Sequence, residues 1–317
     1  MSTQKLTTAE IQYLKREHSR LSREVDAINA VRAPRIHTIR TPKGVRNSAV
    51  ACVITSDLHV DEVVKPEHVN GLNAFNPMVA QQRMEAFFVN SLSLAKGAAR
   101  DSKIDVLYWA VLGDLISGWI HDDLIENNSM TPVEAAIFVG DLLASGVNYW
   151  LRNSKFKIVG DLVCGNHGRL TDKMRCRPVG TSLETIVYRG LAAKFAGNPR
   201  VDLTPAAGAR TYRRIGDFTM RLCHGYEIGY QGGVGGVTIP VRKKIMGWDK
   251  AIKADLTLLA HFHTLINGGD FIVNGSLIGY STFAEFLAAS PEPPRQAFFV
   301  IHPQHGLSLS APVWVTP

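Results

Sequence analysis

From residue 49 onward, short apolar runs alternate with longer amphipathic stretches. The runs are AVACVITSD (49–57), IDVLYWAVLGD (104–114), FKIVGDLVCGN (156–166), FTMRLCHG (218–225), ADLTLLAHFH (254–263), DFIVNGS (270–276) and AFFVIH (297–302). Several are apolar at consecutive positions, which predicts strands covered on both faces. Between them, 79–98, 132–151 and 181–195 carry apolar residues at helical spacing. Strand–helix alternation of this kind predicts an α/β protein, layered with its helices outside. The last two or three runs read as antiparallel β, with DFIVNGS followed by a long loop containing SPEPP.

The first 48 residues have a different pattern. Thr7-Thr8-Ala9-Glu10 has the form of a capping box, with Thr7 as N-cap and Glu10 reaching back. Apolar residues then recur at Ile11, Leu14, Leu21, Val25 and Ile28, and His18 completes a 3-4-3-4-3 seam. Pro34 is expected to end the helix. A seam this short fits a helix packed on its own domain or one that pairs two copies of the chain into a homodimer. The following segment, RIHTIRTPKGVR (35–46), suits contact with a nucleic-acid backbone or a solvated linker equally. The expected organisation is a basic helical arm and linker over 1–48 and one catalytic domain over 49–317.

Charge sharpens that division. The net charge is +7, but residues 1–48 hold ten Lys/Arg against four Asp/Glu, and the other 269 hold 25 against 24. The basic character therefore belongs to the arm. Apolar content of 45% and charged content of 20% suit a soluble globular enzyme. Runs such as 104–112 are far too short to cross a membrane, and MSTQKLTTAE lacks the apolar core of a signal peptide. A cytoplasmic protein is the expectation. Cys52, Cys164 and Cys223 sit inside apolar runs with no C-x-x-C spacing, so reduced core residues are expected rather than a disulfide framework.

The chemistry gathers where the apolar runs end. Five of them finish in Asp57-x-His59, Gly113-Asp114, Gly165-Asn166-His167, His224-Gly225 and His261-x-His263. Open α/β sheets place their ligands at such strand ends. In a strand, residues i and i+2 share a face, so Asp57/His59 and His261/His263 can each present a pair. Any one motif alone is an ordinary polar turn or a core histidine. Together they supply imidazole, carboxylate and amide, a mixture suited to borderline divalent metals such as Mn, Fe or Zn.

The ordered set D-x-H, G-D, G-N-H, H-G and H-x-H resembles the calcineurin-like metallophosphoesterase family over roughly residues 50–280. The resemblance implies a four-layer α/β/β/α sandwich and a phosphoesterase with two divalent ions, Mn first, with Fe, Zn, Ni, Co or Mg as alternatives. It implies Asp57, His59 and His263 around one ion, Asn166, His224 and His261 around the other, and Asp114 bridging both. His167 would stand beside the scissile phosphate as the catalytic histidine. The chain departs from the pattern at three places. Gly168 stands where the family usually has an acid, and Ser117 where many members have one to steady the histidine. Asp122 and Asp123 are candidate substitutes for the latter. Ala260 replaces a glycine before His261.

The substrate is less legible. Arg169, Lys173, Arg175 and Arg177 follow G-N-H, and Arg210, Arg213 and Arg214 precede the fourth run. They suit a large anionic substrate or scattered surface charge. The glycine-rich stretch between His224 and His261 suits a mobile cover or a plain surface loop. Within it, Tyr226 and Tyr230 could stack on a base, and Arg242, Lys243 and Lys244 could meet phosphates. The leading expectation is a phosphodiester hydrolase acting on nucleic acid, similar to SbcD-type nucleases but without their partner-binding domain. The alternatives are a phosphoesterase for a small nucleotide or phosphomonoester and a catalytically weak nucleic-acid-binding protein.

Overall fold

The structure is a computed structural model and describes residues 7–29, 48–100, 102–174, 176, 178–229 and 236–316. The chain divides into two compact units, Met1–Val45 and Arg46–Pro317. The first contains α1 (Thr8–Asn29). Its capping box forms: the Thr7 amide donates to Glu10 Oε2 at 2.8 Å, and the Glu10 amide donates to Thr7 Oγ1 at 3.3 Å. The segment 35–46 and the expected stop at Pro34 lie outside the described residues.

The second unit is mixed α/β with two sheets. The first sheet runs β11-β10-β1-β2-β3-β4, with β1 (Ser48–Thr55), β2 (Lys103–Val111), β3 (Lys157–Leu162), β4 (Val201–Pro205), β10 (Arg295–His302) and β11 (Gly306–Trp314). Strands β1 to β4 are mutually parallel, and β10 and β11 add antiparallel at the β1 side. The second sheet runs β5-β6-β7-β9-β8, with β5 (Arg210–Ile215), β6 (Phe218–Cys223), β7 (Leu256–Leu259), β8 (Ile266–Asn267) and β9 (Phe271–Val273). Strands β6, β7 and β9 are parallel. The antiparallel reading therefore holds for β10, whereas β9 is antiparallel only to the two-residue β8.

Period-two alternation sends each strand's apolar residues to two cores. Ala51 and Val53 of β1, with Leu107, Trp109 and Val111 of β2, pack against α2 (Pro77–Ala98), α4 (Pro132–Asn153) and α5 (Glu184–Phe195). The intervening Cys52, Ile54, Tyr108 and Ala110 pack against Met220 and Leu222 of β6 and Leu256 and Leu258 of β7. A third cluster joins the far side of the second sheet to Val241 and Ile245 of α6 (Thr238–Trp248).

The three expected helices form, each near its expected ends. Asn76 caps α2 by accepting from the Val79 amide, and Thr131 with Glu134 forms a capping box on α4. Short helices α3 (Asp122–Asn127) and α7 (Thr282–Phe286) complete the set. Cys52, Cys164 and Cys223 are buried free thiols, and Cys176 is exposed. No helix among the described residues is long and apolar enough to cross a membrane.

Candidate metal centre

Parallel pairing brings the carboxyl ends of β1, β2 and β3 together, and those of β6 and β7 as well. The polar residues do not sit on the pleats, as the i, i+2 argument supposed. Strand β1 ends at Thr55 and β7 at Leu259, so Asp57, His59, His261 and His263 all lie beyond them. Each adopts a left-handed backbone instead, with φ of 51°, 48°, 74° and 53°, and Asp114 does the same at 51°. Five of the seven described non-glycine residues with positive φ are thus candidate ligands. Such conformations are disfavoured for L residues and persist where surrounding bonds hold them. Here the Asp57 amide donates to the Gly113 carbonyl at 3.0 Å, and the Leu58 amide to the Asp114 carbonyl at 2.8 Å. A Cβ on Gly113 would come within 2.1 Å of the Gly165 amide nitrogen, so only glycine lets the β2 and β3 loops approach this closely.

The candidate side chains converge. Asp57, His59 and His263 place one ligand atom each within 4.8 Å of one another; so do Asp114, His224 and His261, and so do His59, Asp114 and His167. Asp114 and His59 thus belong to two groups each. Asn166 Oδ1 is buried without a hydrogen-bond partner.

Hydrogen bonds aim the rings. His224 Nδ1 donates to the Leu112 carbonyl, leaving Nε2 to face the centre. That Nε2 lies 2.8 Å from Asp114 Oδ2; burial lowers the imidazole, but Asp114 outweighs it and raises His224 to about 10, so the two groups face each other as an ion pair across the centre. His59 Nδ1 lies 2.9 Å from Ser117 Oγ, and Ser117 Oγ donates to Glu62 Oε2 at 2.8 Å. His59 Nδ1 therefore carries the proton, and its Nε2 is buried without a partner. Behind Asp57, Ser56 Oγ donates to Oδ2 at 2.6 Å and accepts from Asn274 Nδ2 at 2.7 Å.

Electrostatics keeps both carboxylates charged. Burial works against the charge on Asp114, but His224 and His167 hold it well below the usual carboxylate range. Burial likewise opposes Asp57, and His263 and His224 draw it below its ordinary value. Burial, then the neighbouring His167 and His263, pushes His59 well down. Burial and His224 bring His261 down to about 4, so its lone pair is available at neutral pH.

The departures from the family pattern have local answers. His167 Nδ1 donates to the Ser117 backbone carbonyl at 3.0 Å, so position 117 supports the histidine through its main chain. That stretch is pinned by Asp61, which accepts from the Ser117 amide at 2.7 Å and the Gly118 amide at 3.1 Å. Asp122 and Asp123 open α3, and no hydrogen bond among the described residues joins either to His167. At Gly168 a Cβ would stand 2.8 Å from Glu184 Cγ, so Glu184 fills the space a side chain there would use. Its buried carboxylate accepts from the Leu115 and Gly165 amides, both at 2.7 Å, tying the Asp114 loop to the Asn166 loop. Sequence reading missed Asp61, Glu62 and Glu184. The first two follow D-x-H after a single valine in SDLHVDE, a legible signal; Glu184 has none.

The expected substrate contacts come out differently. Arg169 lines a cavity of about 240 Å³ beside His167, together with Ile116, Trp119, Ile120 and Leu170. Its guanidinium nevertheless donates to the Asn166, Thr171 and Asp172 carbonyls. Tyr226 lies half-buried with its ring 6.2 Å from that of His224. Tyr230, Arg175 and Arg177 lie outside the described residues. Arg210 pairs with Glu227 and Arg213 with Asp161. Part of the stretch after His224 is the helix α6, where Arg242 pairs with Asp270.

Among known proteins, no family model and no curated protein matches. Solved structures do. An archaeal phosphodiesterase is similar at 14% identity and a TM-score of 0.34, over 83% of this chain and 99% of that one. Vps29 of Entamoeba histolytica, solved with zinc, is similar at 12% and 0.32, over 83% and 99%. A predicted phosphoesterase from Streptococcus pneumoniae is similar at 12% and 0.26, over 83% and 95%. Likeness of this degree carries no chemistry across, which has to be read from the side chains themselves.

Proposed function

We propose that this chain is a divalent-metal-dependent phosphodiester hydrolase of the calcineurin-like kind. The observation that carries the reading is the meeting within 4.8 Å of Asp57, His59 and His263, of His59, Asp114 and His167, and of Asp114, His224 and His261, with the buried His59 Nε2 and Asn166 Oδ1 lacking hydrogen-bond partners. A buried polar atom without a partner costs about 1–3 kcal/mol, and the unpartnered His59 Nε2 on a residue of two of these groups fits an ion that coordinates it. Four imidazoles, two carboxylates and an amide suit borderline divalent ions, with manganese our first choice. Asp57, His59 and His263 would hold one ion, Asn166, His224 and His261 the other, and Asp114 would serve both. Such ions polarise a phosphoryl oxygen and lower the pKa of water.

The chain supplies the remaining chemistry. Donation from His167 Nδ1 to the Ser117 carbonyl leaves Nε2 as the free ring nitrogen, beside His59 and Asp114. Burial lowers the pKa of this imidazole, so Nε2 carries a lone pair that can first take a proton from water and then pass it to the departing oxygen. The Glu184 and Asp61 bonds hold the two loops that position it.

The charge of residues 1–48 favours nucleic acid as the diester. The compact cavity beside His167, walled by Trp119, Ile116 and Leu170 and with its arginine already engaged, favours a small aryl or nucleotide ester as a second reading. Hydrolysis by manganese-loaded protein of bis-nitrophenyl phosphate, nitrophenyl phosphate, single- and double-stranded DNA, and RNA separates the two. Cleavage of polymer and diester supports the first reading, and diester turnover with intact polymers supports the second. Turnover of the monoester alone would overturn the diester assignment, and no turnover of any would overturn the hydrolase.

A further inference from the structure

In α1 the seam residues Ile11, Leu14, Leu21 and Val25 are 41–52% exposed, and His18 is exposed with them. A helix of 22 residues, about 33 Å long, thus carries an apolar stripe at heptad spacing that no other element of its own unit covers among the described residues. Isolated helices draw most of their stability from packing such a face.

The flanking charges suit a second copy in one orientation. With Ile11, His18 and Val25 at heptad position a and Leu14 and Leu21 at d, position g holds Glu10, Glu17 and Glu24, while Lys15 and Ser22 stand at e. In an antiparallel pair g meets g, so Glu17 would face the partner's Glu24, and the partner's Glu17 would face Glu24. In a parallel pair g meets the following e, so Glu10 faces the partner's Lys15 and Glu17 the partner's Ser22, with no like charges opposed. Within each helix Arg20 bridges Glu17 at 2.9 Å and Glu24 at 2.8 Å, which keeps these glutamates along the stripe's margin. His18 is the single polar residue in the seam. In-register parallel pairing sets it against its own copy, and a one-heptad slip would oppose it to Ile11 or Val25 and leave it facing an apolar side chain.

We propose that α1 pairs two copies of this chain as a parallel, in-register two-stranded coiled coil. Light scattering on the full chain tests the pairing and oxidative cross-linking tests its direction, the latter in a Cys176→Ser background because Cys176 is the exposed native thiol among the described cysteines. The wild type should show twice the protomer mass, and Leu14→Glu/Leu21→Glu should halve it. Tyr13→Glu, at an outer position 65% exposed, should leave the mass doubled. Leu14→Cys alone should cross-link to a dimer, as should Val25→Cys alone. A wild type of protomer mass overturns the proposal, as does a Tyr13→Glu chain that also dissociates. Cross-linking only when Leu14→Cys and Val25→Cys chains are mixed would mean antiparallel helices and overturn it equally.

Discussion

His59 illustrates how single side chains are prepared at this centre. A left-handed backbone turns it off the end of β1, Ser117 fixes its tautomer, and Glu62 fixes Ser117. The consequence shows in Glu62, whose carboxyl burial pushes up to about 7. A folded pKa above the ordinary 4.5 makes a contribution to stability that is complete below about pH 4.5 and lost as the pH rises through 7. Glu62→Gln removes the titration and keeps an acceptor for Ser117. In chelated protein, the wild type's denaturation midpoint should therefore fall relative to the variant's between pH 5 and 8. Parallel midpoints over that range would mean that Glu62 titrates as an exposed carboxyl does. At this scale the motif residues were legible because their side-chain types and order are printed in the chain. Their conformations were not, since pleat alternation suggested a strand face where left-handed turns do the placing.

At the scale of elements, the centre depends on loops after separate strands being tied together. Glu184, on the first turn of α5, joins the loop after β2 to the loop after β3 through two backbone amides, in the space that Gly168 leaves open. Glu184→Ala should lower kcat by about tenfold to a hundredfold, the range seen when supporting partners of a metal site are lost. Gly168→Glu alone should also lose activity through collision, whereas Gly168→Glu combined with Glu184→Ala should recover part of the wild-type rate. A double variant no better than Glu184→Ala would show that the carboxylate acts only from α5. No sequence pattern marks this pair, because the contact depends on how α5 packs. Other elements escaped for local reasons. RTYRRI of β5 reads as polar surface, yet Arg213 reaches Asp161 on β3 of the other sheet. Glycines and Pro240 obscured α6, where Pro240 is tolerated because it lies in the first turn. The strands legible in advance were those apolar on both faces, and β4, half-exposed along its length, gave no such run.

For the whole molecule, residues 1–48 hold most of the excess basic charge, and by contacts the chain divides into Met1–Val45 and Arg46–Pro317. The larger unit uses two sheets to bring histidines and aspartates some two hundred residues apart into one cluster, as His261 and Asp57 show through a 3.2 Å hydrogen bond. On the proposed function this cluster would be a two-ion centre held jointly by Asp114. Calorimetric titration of chelated protein with manganese tests it most directly, comparing the wild type with Asp114→Asn. The wild type should take up two ions per chain, and Asp114→Asn should lose at least one or bind both at least tenfold more weakly. One ion or none in the wild type, or an unchanged titration in Asp114→Asn, would rule out a shared two-ion centre.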